Sequence, residues 1–147
     1  MTITKKDIDY LFDDLWPLMP FAFGADGHKQ NCLDKLERLQ TCFQKYQNDH
    51  DLLLKTLMKF EGIKVVIGTG LIWSVYRETR VPFDKYTMGY ALEKNILRLE
   101  NVSSNYVKYS EKIKEYCDNK SLSDGIEYSI EKFVRDAQYT NFVVEPK

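Results

Sequence analysis

Apolar residues recur every three to four positions along most of the chain, a spacing that predicts helices rather than strands. Near the start, Ile8, Leu11, Phe12 and Leu15 fall on one face and predict a helix over about residues 7–16. The same spacing predicts further helices over about residues 29–46, 49–60, 69–78, 84–99, 104–117 and 122–138. The pattern therefore predicts an all-α domain of six or seven helices.

Residues that favour helix ends stand near several of these boundaries. The expected N-terminal caps are Thr4 with Asp7 in a capping box, Asn48 or Asp49, Ser103, and Ser121 or Ser123. Pro17 and Pro20 are expected to end the first helix and to open a loop over residues 17–28. Gly62 is expected to end or bend the third helix.

The stretch from residue 61 to residue 70 is ambiguous. Val65, Val66 and Ile67 fit either a helix or a strand, and the following Gly68-Thr69-Gly70 is expected to break both. The preferred interpretation is a hairpin turn near residues 61–70 that leads into a short helix. With that turn, residues 1–147 form one compact helical bundle without internal repeats.

Composition narrows the class of protein. The chain has 147 residues, of which 44% are apolar and 29% charged, and this suits one soluble domain. The formal net charge of −1 argues mildly against a dedicated nucleic-acid binder, although residues 59–98 carry seven Lys or Arg against four Asp or Glu. We expect a cytoplasmic protein with no membrane segment and no signal peptide.

The residues that bind metals and cofactors form no recognisable motif. The three cysteines lack CxxC spacing and are expected to be reduced thiols, and the two histidines stand far apart in the sequence. No phosphate-binding loop or dinucleotide fingerprint occurs. We therefore expect no metal site and no cofactor.

Asp84 is the carboxylate with the most informative surroundings. Pro82 favours extended backbone before it, and a helical pattern follows it. Asp84 is therefore expected to cap the helix that begins near residue 84. The alternative is that this carboxylate also belongs to a functional site.

The order of a glycine turn, a short apolar helix, Val81-Pro82-Phe83-Asp84 and another helix resembles the helix-hairpin-helix DNA glycosylases. In that family a hairpin similar to Val66-Ile67-Gly68-Thr69-Gly70 precedes a segment that presents the catalytic aspartate. The resemblance covers about residues 61–100 and implies a DNA-binding helical fold that acts on a base. It implies that Asp84 is catalytic.

The resemblance also implies a set of DNA contacts. Backbone N–H groups at a helix start can bind phosphate, cationic side chains can hold neighbouring phosphates, and tyrosines can stack on a flipped base. The implied nucleic-acid-binding residues are Gly68, Thr69, Gly70, Lys64, Arg77, Arg80 and Lys85, and the implied base-stacking residues are Tyr86 and Tyr90.

A second hypothesis is a non-catalytic helical module that binds a protein partner or a second copy of itself. It predicts that Asp84 is a buried cap and that the basic residues disperse. It also predicts an apolar patch near residues 16–23, where Trp16, Phe21 and Phe23 cluster in the sequence.

Overall fold

The computed structural model describes residues 1–15, 25–98 and 100–140, and every regular element in these residues is helical. The helices are α1 (Lys5–Asp9), α2 (Ala25–Asp34), α3 (Leu36–Lys45), α4 (His50–Leu57), α5 (Val65–Val75), α6 (Lys85–Glu93), α7 (Val102–Asp124) and α8 (Ile130–Tyr139). The all-α prediction is confirmed. None of these helices is both long enough and apolar enough to cross a bilayer.

The first helix begins as its capping residues predict. The Thr4 side chain accepts a hydrogen bond from the Asp7 amide, and the Asp7 carboxylate accepts one from the Thr4 amide. The helix then continues with a wider, π-helical turn over Tyr10–Leu15. Trp16, Pro17, Pro20 and the expected apolar patch at 16–23 lie outside the described residues.

The helix predicted over residues 29–46 is in fact two helices. Lys35, with φ −104° and ψ 10°, leaves helical geometry and separates α2 from α3. The expected loop over residues 17–28 is also wrong at its end, because α2 already begins at Ala25. Asp49 caps α4 through a hydrogen bond from the Leu52 amide, as predicted.

The expected hairpin ends earlier than predicted. Gly62 has a φ of 79°, which glycine adopts readily, and α5 begins at Val65. Gly68, Thr69 and Gly70 lie inside this helix and are buried. A Cβ atom on Gly68 would stand 2.8 Å from the Leu54 side chain, so glycine here lets α5 approach α4 closely. Neither glycine forms a turn, and Gly68 makes room for the Leu54 side chain of α4.

The last third of the chain contains two helices, as predicted, but the boundary between them lies later than expected. Helix α7 runs from Val102 through Ser121 and Ser123, so neither serine is a cap. Gly125 ends the helix in the left-handed conformation, and Ser129 caps α8 by accepting from the Lys132 amide. Serine and glycine are compatible with helix interiors as well as ends, and the local sequence alone left these boundaries open.

The core is built where α4 packs on α7 and where α6 packs on α8. Its largest fully buried side chains are Trp73, Tyr106, Phe43, Phe83 and Phe133. The Phe83 ring meets the Tyr106 ring edge to face, with centroids 5.8 Å apart. This aromatic contact places the segment between α5 and α6 in the middle of the domain.

The segment between α5 and α6 runs through the core in extended form and needs partners for its backbone groups. The Phe83 amide donates to the Thr69 hydroxyl at 2.8 Å, and the Tyr106 hydroxyl donates to the Val81 carbonyl at 3.0 Å. The Thr69 hydroxyl in turn donates to the Val65 carbonyl at 2.8 Å. Helices α5 and α7 thus hold this segment from two sides.

We expect Thr69→Val to lower the free energy of unfolding by about 1–3 kcal/mol, because the buried Phe83 amide would lose its acceptor. Thr87→Val is the matched control, since the buried Thr87 hydroxyl has no hydrogen-bond partner in the described structure. This control should be neutral or slightly stabilising. Urea denaturation of both variants measures the difference, and equal losses would contradict the assigned role of Thr69.

Candidate functional site

Asp84 lies at the N-terminus of α6 with its side chain fully buried. Its Oδ1 atom accepts hydrogen bonds from the Tyr86 amide at 2.9 Å and the Thr87 amide at 2.8 Å. This is the geometry of an N-cap carboxylate, which also complements the positive end of the helix dipole. Because no part of the carboxylate reaches the surface, this conformation offers Asp84 no contact with a substrate.

The residues before Asp84 are equally inaccessible. Val81, Pro82 and Phe83 are all buried, and Phe83 also meets the ring of Tyr109. Burial raises the pKa of the nearby Tyr106 hydroxyl, which stays protonated and keeps its hydrogen bond to Val81. The segment that resembles a catalytic motif is therefore a core element of this fold.

The expected phosphate site at the glycines is not formed. The Gly68 amide donates to the Lys64 carbonyl at 2.8 Å, inside the helix ladder. Thr69 is fully buried, with its hydroxyl used by α5 and by Phe83. An anion can use only the amides of the first helical turn, and α5 begins three residues before Gly68. This geometry therefore does not support the predicted phosphate contacts of Gly68, Thr69 and Gly70.

Arg80 is occupied by a contact within the protein. Its Nε donates to Nδ1 of His50 at 2.7 Å, and its terminal nitrogen donates to the Thr79 carbonyl at 3.0 Å. The His50 ring also packs against Tyr76, with centroids 4.4 Å apart. Both residues line a cleft of about 360 Å³ beside the start of α4, where Asp49 and Asp51 also lie.

The cleft beside α4 does not favour anions. Asp51 accepts a hydrogen bond from the Val107 amide at 2.9 Å, where α7 resumes after its kink at Asn105. Asp49 caps α4 itself. Two carboxylates against one guanidinium leave no positive excess, so this cleft does not supply the phosphate contact expected of Arg80.

The other cations of the expected DNA surface do not gather around Asp84. Arg77 lies over the Tyr10 ring, 3.8 Å from its centroid, and one of its nitrogens is 3.8 Å from an Asp7 oxygen. Lys64 is exposed at the start of α5. The Lys85 ammonium lies 5.8 Å from the centre of the Tyr86 ring. With Arg80 held at His50, the cations point to different local partners, as the second hypothesis predicts.

The two tyrosines of the expected stacking pair belong to the core. Tyr86 is half-buried and packs against the apolar cluster. Tyr90 is only 8% exposed, and its ring meets Phe133 edge to face with centroids 5.1 Å apart. Stacking on a base would require Tyr90 to leave the contact between α6 and α8. The stacking role is therefore not supported by this packing.

The cysteines are free thiols. Burial raises the pKa of Cys32 and of Cys117 to about 12, so both are protonated and poorly nucleophilic at neutral pH. Within the described ranges, no three His, Cys, Asp or Glu side chains come close enough to share a metal ion.

Two surface features emerge that the sequence patterns did not single out. Leu122 and Ile126, at the end of α7, are 83% and 69% exposed. Arg98, Lys108 and Lys112 line one groove beside α7. In the sequence, Leu122 and Ile126 appear only as two apolar residues in a polar stretch, and Lys108 and Lys112 only as two lysines four positions apart. Neither pattern indicates a binding surface until the fold is known.

Comparison with known proteins gives no independent guide to the site. No protein-family model matches the chain, and no curated protein or solved structure matches it either. Function is therefore inferred from the chemistry of these surfaces.

We expect Asp84→Ala to lower the free energy of unfolding by about 1–2 kcal/mol, because two amides at the start of α6 lose their acceptor. Asp84→Asn keeps an acceptor oxygen and should lose less. Chemical denaturation measures both variants. If Asp84 were kept for catalysis at a cost in stability, Asp84→Ala would be as stable as the wild type or more stable, and that result would contradict the capping role.

Stability should also depend on the protonation of His50. Burial, reinforced by the charge of Arg80, lowers the pKa of His50 below its ordinary value of 6.5. The unfolded chain therefore takes up the proton first, so the contribution of neutral His50 is complete above about pH 6.5 and declines as the pH falls towards the lower folded pKa.

Denaturation curves of the wild type and of His50→Gln between pH 7.5 and 5.5 test this dependence. We expect the wild type to lose more stability across this range than the variant, whose glutamine does not titrate. Parallel curves for the two proteins would contradict the assignment.

Proposed function

We propose that this helical domain binds a partner protein through a small apolar surface at the end of α7. The surface is defined by Leu122, the most exposed large apolar side chain of the described residues at 83%, and by Ile126, which is 69% exposed. Their exposure is the observation that carries the proposal, because contiguous exposed apolar side chains commonly mark interaction sites.

The position of the apolar surface supports a docking role. Gly125, with a φ of 71°, ends α7 between the two side chains and turns the chain sharply. Leu122, Gly125 and Ile126 line an open hollow of about 560 Å³ together with Asp118, Ser121 and Glu127. A Cβ on Gly125 would meet no atom within 4 Å, so this end of α7 faces open space. Such a hollow can receive one large apolar side chain of a partner.

The charges around the hollow indicate the chemistry of the partner. Asp118 pairs with Lys114 and Asp124 pairs with Lys120, so Glu127 is the carboxylate of the hollow that makes no ion pair within 4 Å in the described residues. An isologous dimer would bring Glu127 close to its own copy, which disfavours self-association. We therefore expect the partner to present an apolar residue flanked by Lys or Arg.

The buried position of Asp84 and the dispersal of the basic residues agree with this interaction role. Both features were expected of a non-catalytic module, and neither provides access to a substrate. Catalysis on a base in DNA is not part of the proposal.

Selection of random peptides on the immobilised domain tests the proposal. We expect enriched peptides to contain a large apolar residue next to Lys or Arg, and to bind Leu122→Ser/Ile126→Ser at least tenfold more weakly than the wild type. This loss corresponds to about 1.4 kcal/mol. The control is Leu52→Ser/Leu92→Ser, which removes two apolar side chains that are 41% and 37% exposed elsewhere.

Two results would contradict the proposal. The first is equal loss of peptide binding in the test and control variants. The second is a concentration-dependent dimer, seen by light scattering, that Leu122→Ser/Ile126→Ser abolishes, because the surface would then serve a second copy of the chain.

A further inference from the structure

Some cations of the described residues form ion pairs within 4 Å, and others, at several places on the surface, form none. Lys29 pairs with Asp13 at 2.8 Å, Lys114 pairs with Asp118 at 2.8 Å, and further ion pairs hold Lys5, Arg77 and Lys120. In contrast, Lys94, Arg98, Lys108 and Lys112 make no ion pair within 4 Å in the described parts of the chain. These four cations, termed here the basic surface, lie on one side of α7 and on the segment after α6.

The basic surface lines two adjoining grooves. Arg98, Lys108 and Lys112 line the first, of about 320 Å³, together with Glu100. Lys94 and Lys112 line the second, of about 330 Å³, with Glu115 and Tyr116. Lys112 belongs to both grooves, so the cations form one continuous path. Among the described residues that line this path, four are cationic and two are acidic.

Lys108 and Lys112 stand four residues apart on the same face of α7. Glu111 and Glu115 follow them by three residues, but neither lysine forms an ion pair within 4 Å in the described residues. The other lysines of α7, Lys114 and Lys120, each pair with an aspartate four residues later. Lys108 and Lys112 are therefore the lysines of α7 that are available to an anion.

The chain shortly after Arg98 is tied to α7. The Tyr109 hydroxyl donates to the Glu100 carbonyl at 2.7 Å and accepts from the Glu100 amide at 3.1 Å. The Asn105 side chain donates to the carbonyls of Glu100 and Asn101. Arg98 itself is exposed and lines the first groove opposite Lys108 and Lys112.

The length of the path indicates the shape of the ligand. From Lys108 to Asn119 the grooves follow α7 for eleven residues, or about 16 Å at 1.5 Å per residue. An anion that bridges this distance has to be extended and repeatedly charged. Tyr116, half-buried at the far end, packs against Tyr128 and Phe133, so the charge of the path and not a stacking ring is what a ligand would meet. A cationic groove that follows the phosphate backbone is a feature of surfaces that bind single-stranded nucleic acid.

We propose that the basic surface binds the phosphodiester backbone of a single-stranded nucleic acid. Lys108, Lys112 and Arg98 contact successive phosphates in the first groove, and Lys94 extends the contact into the second. This site is separate from the residues around Asp84, and it does not depend on the apolar surface at Leu122 and Ile126.

Fluorescence anisotropy with a labelled 12-nucleotide single strand, measured from 50 to 200 mM salt, tests the proposal. We expect Lys108→Gln/Lys112→Gln to weaken binding about tenfold at the lowest salt and to reduce the slope of log K against log salt by about 1.4, since each lost phosphate contact on a single strand removes about 0.7. The matched control is Lys55→Gln/Lys59→Gln, which removes two exposed lysines elsewhere and gives the same net charge.

Each alternative result identifies a different ligand or none. Absence of binding by the wild type at 50 mM salt, or equal losses in the two variants, would overturn the proposal. Equal binding of a duplex of the same length would overturn the single-strand assignment. Equal binding of a polyglutamate peptide of matched charge would assign the surface to an acidic protein instead. Wild-type circular dichroism for both variants would establish that folding is unchanged.

Discussion

The hydrogen bond from the Phe83 amide to the Thr69 hydroxyl is the constraint on which much of this fold depends. The chain leaves α5, crosses the core in extended form and enters α6. A buried extended segment has no ladder of its own, so other elements have to satisfy its backbone groups. Thr69 supplies one acceptor from α5, and Tyr106 supplies one donor from α7. The two hydrogen bonds tie α5 and α7 to the segment over residues 81–84 that leads into α6. The relative positions of these three helices are therefore linked.

Asp84 completes this arrangement. The buried extended segment ends at Asp84 and α6 begins directly after it. The Asp84 carboxylate caps α6 by accepting hydrogen bonds from amides of its first turn. Placing a carboxylate in the core is costly unless it is hydrogen-bonded, and two charge-assisted bonds within 2.9 Å offset that cost. The start of α6 then fixes where Tyr90 meets Phe133 of α8. The same carboxylate that suggests chemistry in the sequence is thus a means of joining α5 to α6.

Thr69, Asp84 and Tyr106 are buried, so the residues that contact a ligand or partner are expected on the surface. The N-terminal helices neutralise their own charges, as Lys29 does with Asp9 and Asp13. Helix α7 behaves differently along its length. Its first half presents unneutralised lysines, and its end presents two exposed apolar side chains separated by a glycine turn. The two proposals use these different parts of one helix and different physical forces, so each can stand or fail independently.

The sequence by itself determined the helical class and several local details. The three-to-four spacing of apolar residues, the capping box at Thr4 and Asp7, and the caps at Asp49 and Asp84 were all readable, because they depend on contacts within a few residues. The position of Asp84 as a cap also followed from Pro82 and the helical pattern after it.

Only the tertiary structure decided what those details do. Gly68 and Gly70 lie inside a helix, and at Gly68 the Leu54 side chain of α4 approaches closely, which no local pattern reports. Arg80 is held by His50, thirty residues earlier in the chain. Arg98 joins Lys108 and Lys112 in one groove because Tyr109 ties the intervening loop to α7. Long-range packing decides which charged and apolar side chains find partners inside the protein. It therefore also decides which of them remain available at the surface to bind a ligand or a partner.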